Sequence, residues 1–157
     1  MITFIFAVLM AASQLADGRA HLNPCALVST ADASRAVGSS IARLKTSPEG
    51  RGTACSYETG RQGHSLLFTV YEGSSREEAA VTFEEELQAN ARFYVEPAVE
   101  IAHLGDGAKA FGHILWVRRG SFVFVINVVD AGVQGKTLKR ALSLAHKAIA
   151  RIDAWEH

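Results

Sequence analysis

The chain has 157 residues, of which 48% are apolar and 20% charged. That is about one domain of chain with enough apolar material for a core, which excludes a disordered tail, a collagen-like fibre and a disulfide-dense miniprotein. Sixteen Lys and Arg balance sixteen Asp and Glu, so the broad basic field that non-specific nucleic-acid binding needs is missing.

Residues 2–12 read ITFIFAVLMAA, eleven uncharged apolar positions. A membrane span needs about twenty, so the run fits the apolar region of a secretory signal. Small residues around Gly18, Arg19 and Ala20 suit a signal peptidase, and cleavage is expected after Ala20. No Lys or Arg precedes the run, and a buried N-terminal helix or strand is the alternative. Leu22 stands three before Cys25, as in a lipidation box, but Asn23 and Pro24 occupy positions where that box takes small residues. The expected organisation is a signal peptide over 1–20 and one α+β domain over 21–157.

Cys25 and Cys55 are the two cysteines of the chain. In an oxidising compartment an even pair reads as one disulfide. It would close a loop of about thirty residues, worth about 3–4 kcal/mol in the chain-entropy model. Free cytosolic thiols and a redox pair are the alternatives, although a redox pair is more often CxxC.

A first helix is expected over 30–37, capped by Ser29 or Thr30 and stopped by Gly38. Residues 46–52, TSPEGRG, read as a loop. A short strand over 54–58 carries Cys55 and Tyr57, so the disulfide would tie the first helix to the sheet. A second strand is expected over 64–71. Ser75 and Glu78 then form a capping box for a helix over 76–93. Its apolar stripe is Ala80, Phe83, Leu87, Ala91 and Tyr94, and Pro97 prevents continuation.

Short pairing is expected over 99–104 and 108–112, with a turn at Gly105, Asp106 and Gly107 between them. Residues 114–117 and 122–129 are the strongest strands, joined through Arg119 and Gly120. The second is apolar on both faces except at Asn127, which makes it a central strand. A final helix over 135–152 aligns Leu138, Leu142, Ala145, Ile149 and Ile152. Lys136, Arg140, Lys147 and Arg151 align on the opposite arc. Hairpin-linked strands with packing helices give an α+β fold, a mainly antiparallel sheet flanked by helices.

These segments resemble a family, the small exported proteins and lipoproteins of unknown function of the actinobacterial Lpq type. The residues that carry the likeness are Asn23-Pro24-Cys25-Ala26-Leu27, Ala36-Val37-Gly38 and Ala54-Cys55-Ser56-Tyr57-Glu58. Leu104-Gly105-Asp106-Gly107-Ala108, the hairpin through Arg119-Gly120 and the closing amphipathic helix complete it. The resemblance implies a PsbP-like α/β/α sandwich and a non-catalytic protein with no agreed ligand. It brings no catalytic or binding residues across.

Candidate chemistry is sparse. None of the six histidines makes a metal-binding pair in sequence, although His64 and His113 flank strands and could meet in the fold. No GxSxG elbow or phosphate loop is present. Glu84, Glu85 and Glu86 read as an acidic solvated face, because a calcium site usually needs a loop that wraps the ion. The basic arc of Lys136, Arg140, Lys147 and Arg151 is the best interaction surface, with a solvated helix back as its alternative. Trp116 and Asn127 could line a cleft or belong to the core. The expectation is an exported binding or protein-interaction module, periplasmic or secreted. It is expected to have no cofactor, metal, catalytic residue, nucleic-acid partner or transmembrane anchor. A carrier for a lipid or other small apolar ligand is the alternative.

Overall fold

A computed structural model of the chain describes residues 21–130 and 134–156, so the expected signal peptide lies outside the described residues. In chain order the elements are α1 (Pro24–Leu27), α2 (Thr30–Val37), β1 (Ile41–Glu49), β2 (Gly52–Thr59) and β3 (His64–Glu72). They continue with α3 (Arg76–Ala91), β4 (Val99–Glu100), β5 (Gly107–Phe111), β6 (Ile114–Arg119), β7 (Phe122–Asp130) and α4 (Gln134–Trp155). The seven strands form one sheet in the order β1-β2-β3-β7-β6-β5-β4, and every pairing is antiparallel. The fold is therefore α+β, with helices packed on an antiparallel sheet.

The topology follows from one crossover. β1, β2 and β3 run as neighbours, α3 then carries the chain to the far edge, and β4 to β7 meander back to the centre. β7 becomes the middle strand between β3 and β6. That position explains why its side chains are apolar on both faces.

One sheet face carries α1, α2 and α4. Tyr57, Phe68, Leu115, Phe124 and Ile126 fill the layer beneath them and are essentially inaccessible to water. Ala141, Ala145 and Ala148 bring α4 close to the sheet because they present only methyl groups. The Arg119 guanidinium grips Asp153 through two bonds of 2.7 and 2.9 Å, which ties the end of α4 to the β6–β7 turn. Gly105 at φ +61 approaches the neighbouring strand so closely that a β-carbon there would meet the Arg118 carbonyl at 2.4 Å. Asp106 then donates its amide to that carbonyl and accepts the Gly120 amide.

Among the described residues the opposite face is covered by one helix, α3, with Tyr94 and Ala98 of the following segment packed beside it. Ala79, Phe83 and Leu87 pack with Phe111, Trp116 and Val123. Ser75 accepts the Glu78 amide as the expected N-cap, and Ser74 bonds the Glu78 carboxylate.

Three sequence expectations change. The loop expected over 46–52 is mostly strand: β1 runs to Glu49 and only Gly50 and Arg51 turn. β1 is an exposed edge, so it carries no alternating apolar signal and accommodates Pro48 without losing a ladder bond inside the sheet. On α3 the inward line is Ala79, Phe83 and Leu87 rather than one through Ala80 and Ala91. The helix ends at Ala91, where Phe93 and Tyr94 donate to carbonyls three residues back and tighten the last turn. On α4 the buried line is Thr137, Ala141, Leu144, Ala145, Ala148 and Ile152. Arg140, Lys147 and Arg151 border that line instead of opposing it, because their long stems cover apolar surface while their charges reach acidic partners.

Candidate functional site

The thin covering of the second face leaves an apolar groove. It lies between the last turn of α3, the segment over 92–98 and β5, with a cavity volume of about 420 Å³. Leu87 and Ala91 form its helix side, Phe111 its sheet side, and Tyr94, Val95 and Pro97 its outer wall. Tyr94 stacks on Phe111 at 4.7 Å with the rings nearly parallel, and this pair shapes the wall. Burial holds the Tyr94 hydroxyl above its usual pKa. Beside the groove the surface is unusually apolar: Phe93 is 70% exposed, Val99 63%, and Val95 wholly so.

Lys109 and Glu96 are the charged groups of the lining. The Lys109 ammonium is held 3.5 Å from Glu84 and lies 5.9 Å from the centre of the Phe83 ring. Arg51 takes the other two glutamates of the run, Glu85 at 2.8 Å and Glu86 at 3.7 Å. Glu86 also accepts from Tyr71, whose hydroxyl is held well above its usual pKa, mainly by burial. The acidic run on α3 is therefore matched by basic groups of the same chain.

Trp116 lies one layer behind the groove. Its ring meets Phe111 and Tyr94 edge-to-face at 5.4 and 6.5 Å. It is 2% exposed, and its indole N–H has no hydrogen-bond partner. Asn127 shares that sheet face on β7, opposite Ile114, while Trp116 stands opposite Val125. The Asn127 Oδ1 is also buried without a partner. The two residues named together in the sequence are thus diagonal neighbours, one an orphaned donor and the other an orphaned acceptor.

The basic residues of α4 are placed differently. Lys147 and Arg151 both bond Asp32, which is buried at the start of α2 and also receives Ser29 and Arg35. Arg151 reaches the Leu27 carbonyl as well. The Lys147 hydrogen bond holds the Asp32 carboxyl far below the usual range, against the opposing effect of its burial. Arg140 bonds Asp130, which also faces His64 at 3.6 Å. Of the four stripe residues, three engage acids of the same chain and are half-buried, and Lys136 is exposed. These long-range pairs, unlike local ones, leave no spacing signal in a sequence.

Cys25 and Cys55 form the disulfide, which joins α1 to β2 with Cα atoms 5.2 Å apart. His64 also faces the Val37 carbonyl, whereas His113 sits in the β5–β6 turn. Among the described residues no group of three or more His, Cys, Asp or Glu could hold a metal ion. No helix among them is long and apolar enough to cross a membrane.

No family model matches the chain, and no curated protein matches it. Among solved structures it is similar to the extracellular domain of PknH from Mycobacterium tuberculosis, at 10% sequence identity and a TM-score of 0.54. The match covers 87% of this chain and 100% of that one. At this identity the likeness is one of fold.

Proposed function

We propose that the chain is an exported, non-catalytic binding module that takes a small apolar molecule in the groove at the end of α3. The groove itself carries this reading. Its volume of about 420 Å³ lies within the range of small-molecule sites, and its walls are mostly apolar with charge only at Lys109 and Glu96. The disulfide suits an oxidising compartment outside the cytoplasm, and the fold it shares with an extracellular domain agrees with that location. Relationship to the Lpq-type proteins and export through a leader over 1–20 belong to the same reading. The basic arc of α4 plays no part in it, since Arg140, Lys147 and Arg151 serve acids of the chain.

A competing reading is a protein-interaction module, favoured by the exposed Phe93, Val95 and Val99 beside the groove. The experiment that separates the two is native mass spectrometry of the protein purified gently from its host, paired with titration of the amphiphilic dye 1-anilinonaphthalene-8-sulfonate, whose aromatic rings seek apolar sites. Ala91→Trp fills the groove from an exposed helix position. The expected result is a co-purifying small-molecule mass and saturable dye binding that this variant abolishes. Dye binding unchanged in Ala91→Trp overturns the groove as the site, and a co-purifying protein in place of a small molecule favours the interaction module.

A further inference from the structure

A second cleft lies at the opposite end of α3. Along the helix axis, Arg76 of this cleft stands about 17 Å from Leu87, the nearest helix residue named in the apolar groove. Its character is different. The space is about 590 Å³, and its lining includes Glu72, Arg76, Ser121, Trp155 and Glu156. We propose that this cleft is a saccharide site, with Trp155 as its stacking platform.

Trp155 is 43% exposed although it is one of the largest apolar side chains. It is also held in place: its ring meets the buried Phe122 edge-to-face at 5.5 Å. A fixed and accessible indole face attracts the slightly positive C–H groups on the flat side of a pyranose ring. Polar groups stand around that platform. Arg76 supplies donors only, the carboxylates of Glu72 and Glu156 supply acceptors only, and the Ser121 hydroxyl supplies both. Arg76 and Glu156 line one cleft with opposite charges, yet among the described residues neither forms an ion pair. Both side chains are exposed, so their hydrogen-bonding groups are open to a ligand that enters the cleft.

The charges argue against an anionic ligand. One arginine faces two glutamates, and Glu72 is 3.5 Å from His21. At the start of α3 the Glu78 amide is taken by Ser75, and the Ser74 amide by Glu78. A neutral polyhydroxylated ring meets every requirement: each hydroxyl both donates and accepts, one ring face is apolar, and no net charge is buried. The volume suits a mono- or disaccharide.

The test is titration of the protein with maltose, cellobiose and N,N′-diacetylchitobiose at millimolar concentrations, read by tryptophan fluorescence and by calorimetry. Trp116 is buried elsewhere, so a spectral change reports on Trp155. The proposal expects saturable binding of at least one sugar, weakened about tenfold in Trp155→Ala and about twofold in Trp155→Phe. Arg76→Met, at an exposed position, should weaken the same sugar while leaving the melting curve unchanged. Binding should persist in Ala91→Trp, which separates this cleft from the apolar groove. Failure of all three sugars to saturate the wild-type protein, or undiminished binding in both Trp155→Ala and Arg76→Met, overturns it.

Discussion

On the α1, α2 and α4 face of the sheet, Tyr57, Phe68 and Phe124 are completely buried, and a disulfide and the Asp32 pairs hold the helices down. On the α3 face a single helix covers part of the same sheet, an indole N–H and an amide oxygen lack partners, and apolar side chains stand in water beside a groove. The first face concentrates cross-links between distant parts of the chain. The second leaves surface uncommitted. Buried polar atoms without partners cost stability and exposed apolar groups contribute none, so their concentration on the α3 face supports the proposal that this face binds.

The largest test of this contrast is Phe124→Ala, which removes a buried ring tilted against Phe68 on the closed face. It should cost about 4 kcal/mol in urea unfolding. Replacing Cys25 and Cys55 together with serine should cost about 3 kcal/mol, measured as a lower melting temperature that reductant no longer changes. Asp32→Asn comes next, at about 2 kcal/mol near neutral pH, since Lys147 and Arg151 are themselves partly exposed and regain water. Its pH dependence has a defined sign. The folded Asp32 carboxyl titrates below its unfolded value, so its contribution is complete above about pH 4 and fades as pH falls toward the folded pKa. The urea midpoints of wild type and Asp32→Asn should therefore converge in acid. Phe93→Ser, on the open face, should change stability by less than about 0.5 kcal/mol. A large loss there would mean that the α3 face is as structural as the other.

Much of the fold was legible because its signals are local. β7 announced its central place by being apolar on both sides, and Ser75 with Glu78 marked the start of α3. The cysteine pair and the turn at Gly105 were equally plain. β1 was not, because an edge strand with Arg43, Lys45 and Pro48 looks like a loop when its partner strand is unknown. The groove was hidden for a related reason. Trp116 and Asn127 fit a cleft or the core equally in sequence pattern, and the groove walls at Ala91, Tyr94 and Phe111 meet only after the crossover brings α3 over β5. In sequence Lys147 and Arg151 look like an interaction surface or a solvated helix back, because Asp32, more than one hundred residues earlier, gives no pattern with them.

The crossover also sets an order for assembly. β1 to β3 and β4 to β7 can each zip through short hairpins, but the seam between the halves pairs His64 with Asp130 and Glu72 with Phe122. Closing it requires a long loop to be ordered before any contact along the seam compensates for it. The middle of the finished sheet, its best-protected region, is thus expected to form last in time. Pulse-labelled hydrogen exchange during refolding would show hairpin amides slowing first and those between β3 and β7 afterwards. The two halves of the chain meet there like the leaves of a book whose spine is sewn after its pages are printed.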